Sequence, residues 1–201
     1  DIDTRTISNF KWGKDNTTTT TTAGSPSYLS DLNGYDLTYS TTYSTDGIVK
    51  GNDATNYPAF YAAAHYNPGV TVTGANVGKW YLPSMGEWNL YFKNLVFLSD
   101  RNLNDGTALY PGLYPEVYAF NNLGDKFLLG HDSYKIIYAS SSEISQSNYY
   151  SYCSMSGINN AFIPNRVYIR HGVESIGKGI KTGPTSPTSE VHLFIRPFIH
   201  Y

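Results

Sequence analysis

The chain has 201 residues, enough for one well-buried α+β domain or a domain with an arm, and its formal net charge of −2 indicates no strong pull toward DNA, RNA or an anionic membrane surface. Charged residues supply only 15% of it, against about 25% in an average soluble domain. Its polarity comes instead from Ser, Thr, Asn and Gly, with 19 Tyr, a profile that suits an extracellular β-rich protein or a binding surface, because Tyr gives large contact area at little entropic cost.

In chain order, residues 1–30 read as an N-terminal strand and a Thr-rich arm. Ile7, Phe10 and Trp12 predict a strand over 5–12 that lies beside the last strand of the chain. The tract Thr17 to Thr22 is β-prone but buries little, so an exposed hairpin, loop or linker is expected. Residues 31–201 read as the main domain. A first helix is predicted over 56–66, with Asn56 as N-cap, Pro58 in the first turn, and Phe60, Ala63 and Ala64 toward the sheet. Residues 67–77 form a Gly-rich loop or short strand.

At Gly78-Lys79-Trp80-Tyr81-Leu82-Pro83-Ser84-Met85-Gly86-Glu87-Trp88 a strand meets a helix start. Trp80, Tyr81 and Leu82 suit a buried strand, and Pro83 ends its ladder for want of an N–H. Ser84 with Glu87 three residues on is a capping box. Trp88, Tyr91, Leu95 and Leu98 follow at helical spacing, so a second helix is predicted over 84–98, with Trp80 and Trp88 buried. Residues 99–133 are irregular and read as a long loop region. Strands are predicted near Lys135 to Ser142, Tyr149 to Met155, Ala161 to Arg170 and Val191 to Ile199, with 177–190 an exposed connection.

Three blocks together resemble a bacterial C-type-lectin-like domain of the Fibrobacter-type major paralogous domain kind. They are Asp31-Leu32-Asn33-Gly34-Tyr35-Asp36-Leu37-Thr38, then Tyr57-Pro58-Ala59-Phe60-Tyr61-Ala62-Ala63-Ala64, then Gly78 to Trp88. Two later segments are similar to that family's closing strands: Tyr138-Ala139-Ser140-Ser141-Ser142-Glu143, where Ala139 replaces the family's usual Trp, and Phe194-Ile195-Arg196-Pro197-Phe198. The resemblance implies an α+β, C-type-lectin-like fold: two helices packed on a mainly antiparallel sheet with a long loop region. It also implies surface display, adhesion and ligand binding, mostly without enzymatic activity.

Residue chemistry is consistent with a binder. A lone cysteine, Cys153, excludes a disulfide within the chain, and its strand-like setting suggests a buried thiol. It also rules out the cysteine pair of the formylglycine-generating enzymes, which share a related fold. His65, His131, His171, His192 and His200 show no zinc-binding spacing; His131-Asp132 is the one loop dipeptide that could serve a metal or a reaction. The sugar-binding calcium motifs of C-type lectins are poorly matched by Ile163-Pro164-Asn165 and Trp88-Asn89-Leu90, leaving at most a structural cation at the Asp100 to Asp105 loop. No catalytic residue, metal or cofactor is therefore expected.

The expected binding set is Tyr110, Tyr114, Tyr149, Tyr150, Asn159 and Asn160, which could stack on a sugar or grip a protein, with Arg166 and Arg170 as a local positive edge. Against it stands the plain expectation that half of the tyrosines pack the core and the arginines are solvated. The reading is a secreted or cell-surface, adhesin-like domain that binds a glycan or protein without calcium, its signal or anchor removed. Alternatives are a structural pilus-tip or surface-assembly subunit and a receptor diversified by retroelements; an enzyme has the least support. No apolar run approaches the roughly 20 residues that cross a bilayer.

Overall fold

The computed structural model describes residues 2–3, 10–15, 31–69, 71, 73, 78–88, 90, 135–143, 149–158, 162–163, 166–167, 170–181 and 191–200. Its main sheet has five strands in the order β1-β8-β3-β4-β7. These are β1 (Ile2–Asp3), β3 (Lys135–Glu143), β4 (Tyr149–Ile158), β7 (Arg170–Ile180) and β8 (Val191–Ile195). Three of the four pairings are antiparallel. The fourth, β3 with β8, is parallel and runs from Lys135 opposite Val191 to Tyr138 opposite Phe194. A parallel pair needs a crossover, and here the chain passes through β4 and β7 before returning to the far side of β3. Two short ribbons accompany the sheet: β2 (Trp80–Tyr81) with β9 (Phe198–Ile199), and β5 (Phe162–Ile163) with β6 (Arg166–Val167).

Two short helices, α1 (Gly34–Tyr39) and α2 (Pro58–Ala64), pack with a 3₁₀ turn at Lys50–Asn52. Residues 85–88 and 90 are helical and open the predicted second helix; the rest of that helix lies outside the described residues. The core joins Phe10, Trp12, Leu37, Tyr57, Ala59, Phe60, Ala63, Leu82, Ala139 and Ile195. Beside it is an aromatic cluster in which Trp88 lies 5.1 Å from Tyr138 and 5.0 Å from Phe198 between ring centres. Both clusters bridge the helical side and the strands β3, β8 and β9, so the two halves of the chain share one hydrophobic interior.

Several expectations change. The terminal strand is Ile2–Asp3, paired with Ile195 and Phe194; the predicted strand residues 5–9 lie outside the described residues. Phe10 and Trp12 enter the core from irregular backbone instead, anchored by the indole N–H of Trp12 donating to the Ser140 carbonyl at 2.7 Å. Asn56 does not cap α2. Asp53 holds the Asn56 N–H and side-chain amide at 2.9 and 2.8 Å, and the helix begins two residues later at Pro58, whose fixed φ suits a first turn. The last strand is two, because Pro197 cannot donate to a ladder and the chain turns to pair with β2. Residues 170–180, expected in part as an exposed connection, form one strand against β4 with a register shift at Ser154/Met155. Trp88 is buried as expected, but Trp80 is only half-buried.

Candidate functional site

The two most distinctive sequence blocks interlock. Asp31 sits ahead of α1, and its Oδ1 accepts the Asn33 N–H and side-chain amide, both at 3.0 Å. This is the Asx geometry that Asp-x-Asn-Gly favours. Its Oδ2 accepts the Ser142 hydroxyl from β3 at 2.9 Å, and Ser142 Oγ in turn accepts the Met85 N–H at 2.8 Å. The Asp31 carbonyl accepts the Gly86 N–H at 3.0 Å and the Ser84 hydroxyl at 2.5 Å.

Ser84 and Glu87 close the expected capping box: the Ser84 N–H donates to Glu87 Oε2 at 2.7 Å, and the Glu87 N–H to Ser84 Oγ at 3.4 Å. Thr38 adds a further tie, donating to the Gly34 carbonyl at 2.8 Å and accepting the Leu82 N–H at 3.3 Å.

Close approach explains both glycines. A Cβ on Gly34 would meet Glu87 Oε2 at 2.2 Å and Ser84 N at 2.7 Å, and one on Gly86 would meet the Asp31 carbonyl oxygen at 2.3 Å. The electrostatics follow from burial. Desolvation pushes the Glu87 carboxyl up to about 7, against the bonds from the Ser84 N–H and the Tyr81 hydroxyl. Burial also raises the Tyr81 phenol, with the Glu87 charge adding to it. Thus Asp31, Asn33, Ser84 and Glu87 are all engaged in holding α1, the 85–88 turn and β3 together.

A second polar group gathers around Asp46, Lys50 and Glu143, the last residue of β3. Asp46 accepts from the Ser44 hydroxyl and the Tyr57 hydroxyl, each at 2.5 Å, and from the Ile48 N–H at 3.2 Å, and pairs with Lys14 at 3.2 Å. Burial opposes ionisation of Asp46, but these donors outweigh it and hold the carboxyl well below the usual carboxylate range. Lys50 is fully buried. Its Nζ donates to Ser44 Oγ at 3.1 Å and lies 5.3 Å from the Tyr57 ring centre. Burial lowers its ammonium to about 8, against the attraction of Asp46 and Glu143. Glu143 and Lys181 form a buried ion pair. Neither buried lysine was legible in the sequence, where Lys181 falls in the expected exposed connection over 177–190.

Of the expected binding residues, Tyr110, Tyr114, Asn159 and Asn160 lie outside the described residues. Tyr149 and Tyr150 open β4, opposite Ile180 and Gly179 of β7. Arg170 opens β7 opposite Ile158, and Arg166 stands in β6 opposite Ile163. Along β4 the eight steps from Tyr150 to Ile158 correspond to about 26 Å at roughly 3.3 Å per residue. The register therefore sets the tyrosine pair and Arg170 at opposite ends of one ribbon.

Cys153 falls mid-ribbon, opposite Tyr138 on one side and Ile176 on the other. Trp88 of the poor calcium match is buried in the aromatic cluster, and Ile163 of the other match belongs to β5. Among the described residues no group of three His, Cys, Asp or Glu is arranged to hold a metal ion. His131-Asp132 and the Asp100 to Asp105 loop lie outside them. No helix among the described residues is long and apolar enough to cross a membrane. No protein-family model matches the chain, and neither a curated protein nor a solved structure matches it.

Proposed function

We propose that the chain is a C-type-lectin-like, adhesin-like domain, displayed outside the cell or on its surface, that binds a glycan or a protein ligand without calcium. The observation that carries this is a division of labour. The polar residues of the distinctive blocks are spent on one another, through Asp31, Ser84, Glu87 and Ser142. The Tyr-Tyr-Ser-Tyr run at 149–152 instead belongs to β4, where Tyr150 and Tyr152 stand opposite Glu143 and Ala139 of β3 on one side and Gly179 and Gly177 of β7 on the other. Tyrosines on a strand scaffold are well suited to stack on a sugar face or fill a protein pocket, at about 1–2 kcal/mol each. The test is a glycan and extracellular-matrix array probed with the purified domain, with and without EDTA. A ligand bound equally well in EDTA is expected; binding abolished by EDTA, with the fold intact, would overturn the calcium-independent reading.

One observation favours an assembly subunit as the second reading: among the described residues β7, 11 residues long, ends the strand order of the main sheet. Such an edge can accept another strand. Concentration-dependent self-association in sedimentation, lost when a proline replaces Glu174 within β7, would favour assembly over ligand capture.

A further inference from the structure

Glu143 and Lys181 meet deep inside the protein. Glu143 ends β3 and Lys181 directly follows β7. The Lys181 ammonium donates to Glu143 Oε1, and the two side chains are 0% and 2% exposed. Lys181 is held from several sides. Its carbonyl accepts the N–H groups of Trp12 and Gly13 at 2.8 and 3.1 Å, and its Nζ lies 5.6 Å from the Trp12 ring centre. A Cβ on Gly13 would already touch Lys181 Cδ at 3.6 Å. Lys50 is close enough to interact electrostatically with both Glu143 and Lys181.

An ion pair shut away from water recovers its desolvation cost poorly, and one reaction open to this pair removes both charges. We propose that Glu143 and Lys181 are joined by an isopeptide bond that the chain forms once folded. The Lys181 ammonium first passes a proton to the Glu143 carboxylate, leaving a neutral amine beside a carboxylic acid. The amine nitrogen then attacks Glu143 Cδ and forms the new N–C bond. The hydroxyl of the tetrahedral carbon leaves with a proton from nitrogen as water, and a neutral amide remains. The whole change is an ammonium carboxylate becoming an amide and one water, with no oxidant, reductant or co-reactant.

Three features of the site favour the step. Contact in a fixed geometry replaces a bimolecular encounter, and effective molarities for such arrangements reach about 10⁵–10⁸ M. Exclusion of water favours the neutral product and protects it from hydrolysis. The positive charge of Lys50 beside Glu143 steadies the oxyanion of the tetrahedral stage. The bond would tie the end of β3 to the end of β7 and so close the base of the segment carrying β4 to β7, whatever that segment binds.

The experiment is the intact mass of the purified, folded full chain, followed by protease mapping. The expected result is a mass about 18 Da below that of the sequence, the loss of one water, and a branched peptide joining the Glu143 and Lys181 segments. Lys181→Arg and Glu143→Ala should each restore the full sequence mass. A wild-type chain at its full sequence mass overturns the proposal, whether or not the variants fold. A water loss that maps to a cyclic imide at Asp46-Gly47, without a branched peptide, overturns it too.

Discussion

Glu87→Gln should flatten one part of the protein's stability profile. Glu87 caps the 85–88 turn through the Ser84 N–H while half-buried beneath the Tyr81 hydroxyl. Burial holds its carboxyl at about 7, against 4.5 for the ordinary group. Because the folded value lies above the unfolded one, the native state binds the proton more tightly. The stabilisation is complete below about pH 4.5 and is lost as pH rises through about 7. That gap, at about 1.4 kcal/mol per pH unit, corresponds to about 3 kcal/mol, and access of solvent to the half-buried group lowers it to about 2 kcal/mol. Glutamine keeps the shape and an acceptor for the Ser84 N–H but cannot titrate.

The assay is urea unfolding of the wild type and Glu87→Gln from pH 4.5 to 8, read as the difference between the two proteins. Contributions from other groups then cancel. The Asp46 stabilisation, from a carboxyl held low, is present above the ordinary carboxylate range and is lost only as pH falls below it. The wild type should lose about 2 kcal/mol relative to the variant across the window. Two curves that run parallel at every pH would refute a buried, raised Glu87 carboxyl.

Gly86→Ala should cost about 3 kcal/mol or more, because the added methyl meets backbone atoms of Asp31 at 2.3 to 2.9 Å that no side-chain rotation can clear; a melting temperature within a degree of wild type would contradict the interlock. Trp88→Ala, at a site 1% exposed and packed on Tyr138 and Phe198, should cost about 3–5 kcal/mol in urea unfolding. The wild type should gain about 2–3 kcal/mol as pH rises from about 8 toward 10.5, because the folded Lys50 ammonium titrates below its unfolded value and its buried charge is relieved there. Lys50→Met should lack that gain, and equal alkaline gains in both proteins would contradict it.

Much of the frame was legible because its signals are local. Ser84 and Glu87 at capping spacing, Pro83 as a breaker and the periodic Trp88 each act within a few residues, and the structure shows the box they predict. The strands expected near 135–142 and 149–155 appear as β3 and β4, the second three residues longer than expected. What escaped depends on distant partners. α1 contains Gly34, Tyr35, Asp36 and Thr38, weak helix formers, and is held by the Thr38 hydroxyl at Leu82 and by the Tyr39 hydroxyl donating to the Trp80 carbonyl at 2.6 Å. Trp80 read as buried from an apolar run, but in a two-residue strand its neighbour Tyr81 takes the inner position. The buried Lys50 and Lys181 give no periodic signal at all, since a lysine's burial is set by the carboxylate that tertiary structure brings to it. For the candidate site, the tyrosine strand was legible, whereas the span between Tyr150 and Arg170 follows from register alone.

In the proposed function the distinctive blocks build a frame and the β4–β7 ribbon carries the binding. Affinity for a ligand found on the array, measured side by side for the wild type, Tyr149→Ala with Tyr150→Ala, and Glu87→Gln at pH 6, tests it most directly. The tyrosine-pair variant should lose at least tenfold in affinity, about 1.4 kcal/mol or more, with its melting temperature little changed. Glu87→Gln should bind as the wild type does despite its altered pH–stability profile. Unchanged affinity in the tyrosine variant, or lost affinity in a folded Glu87→Gln, would contradict it.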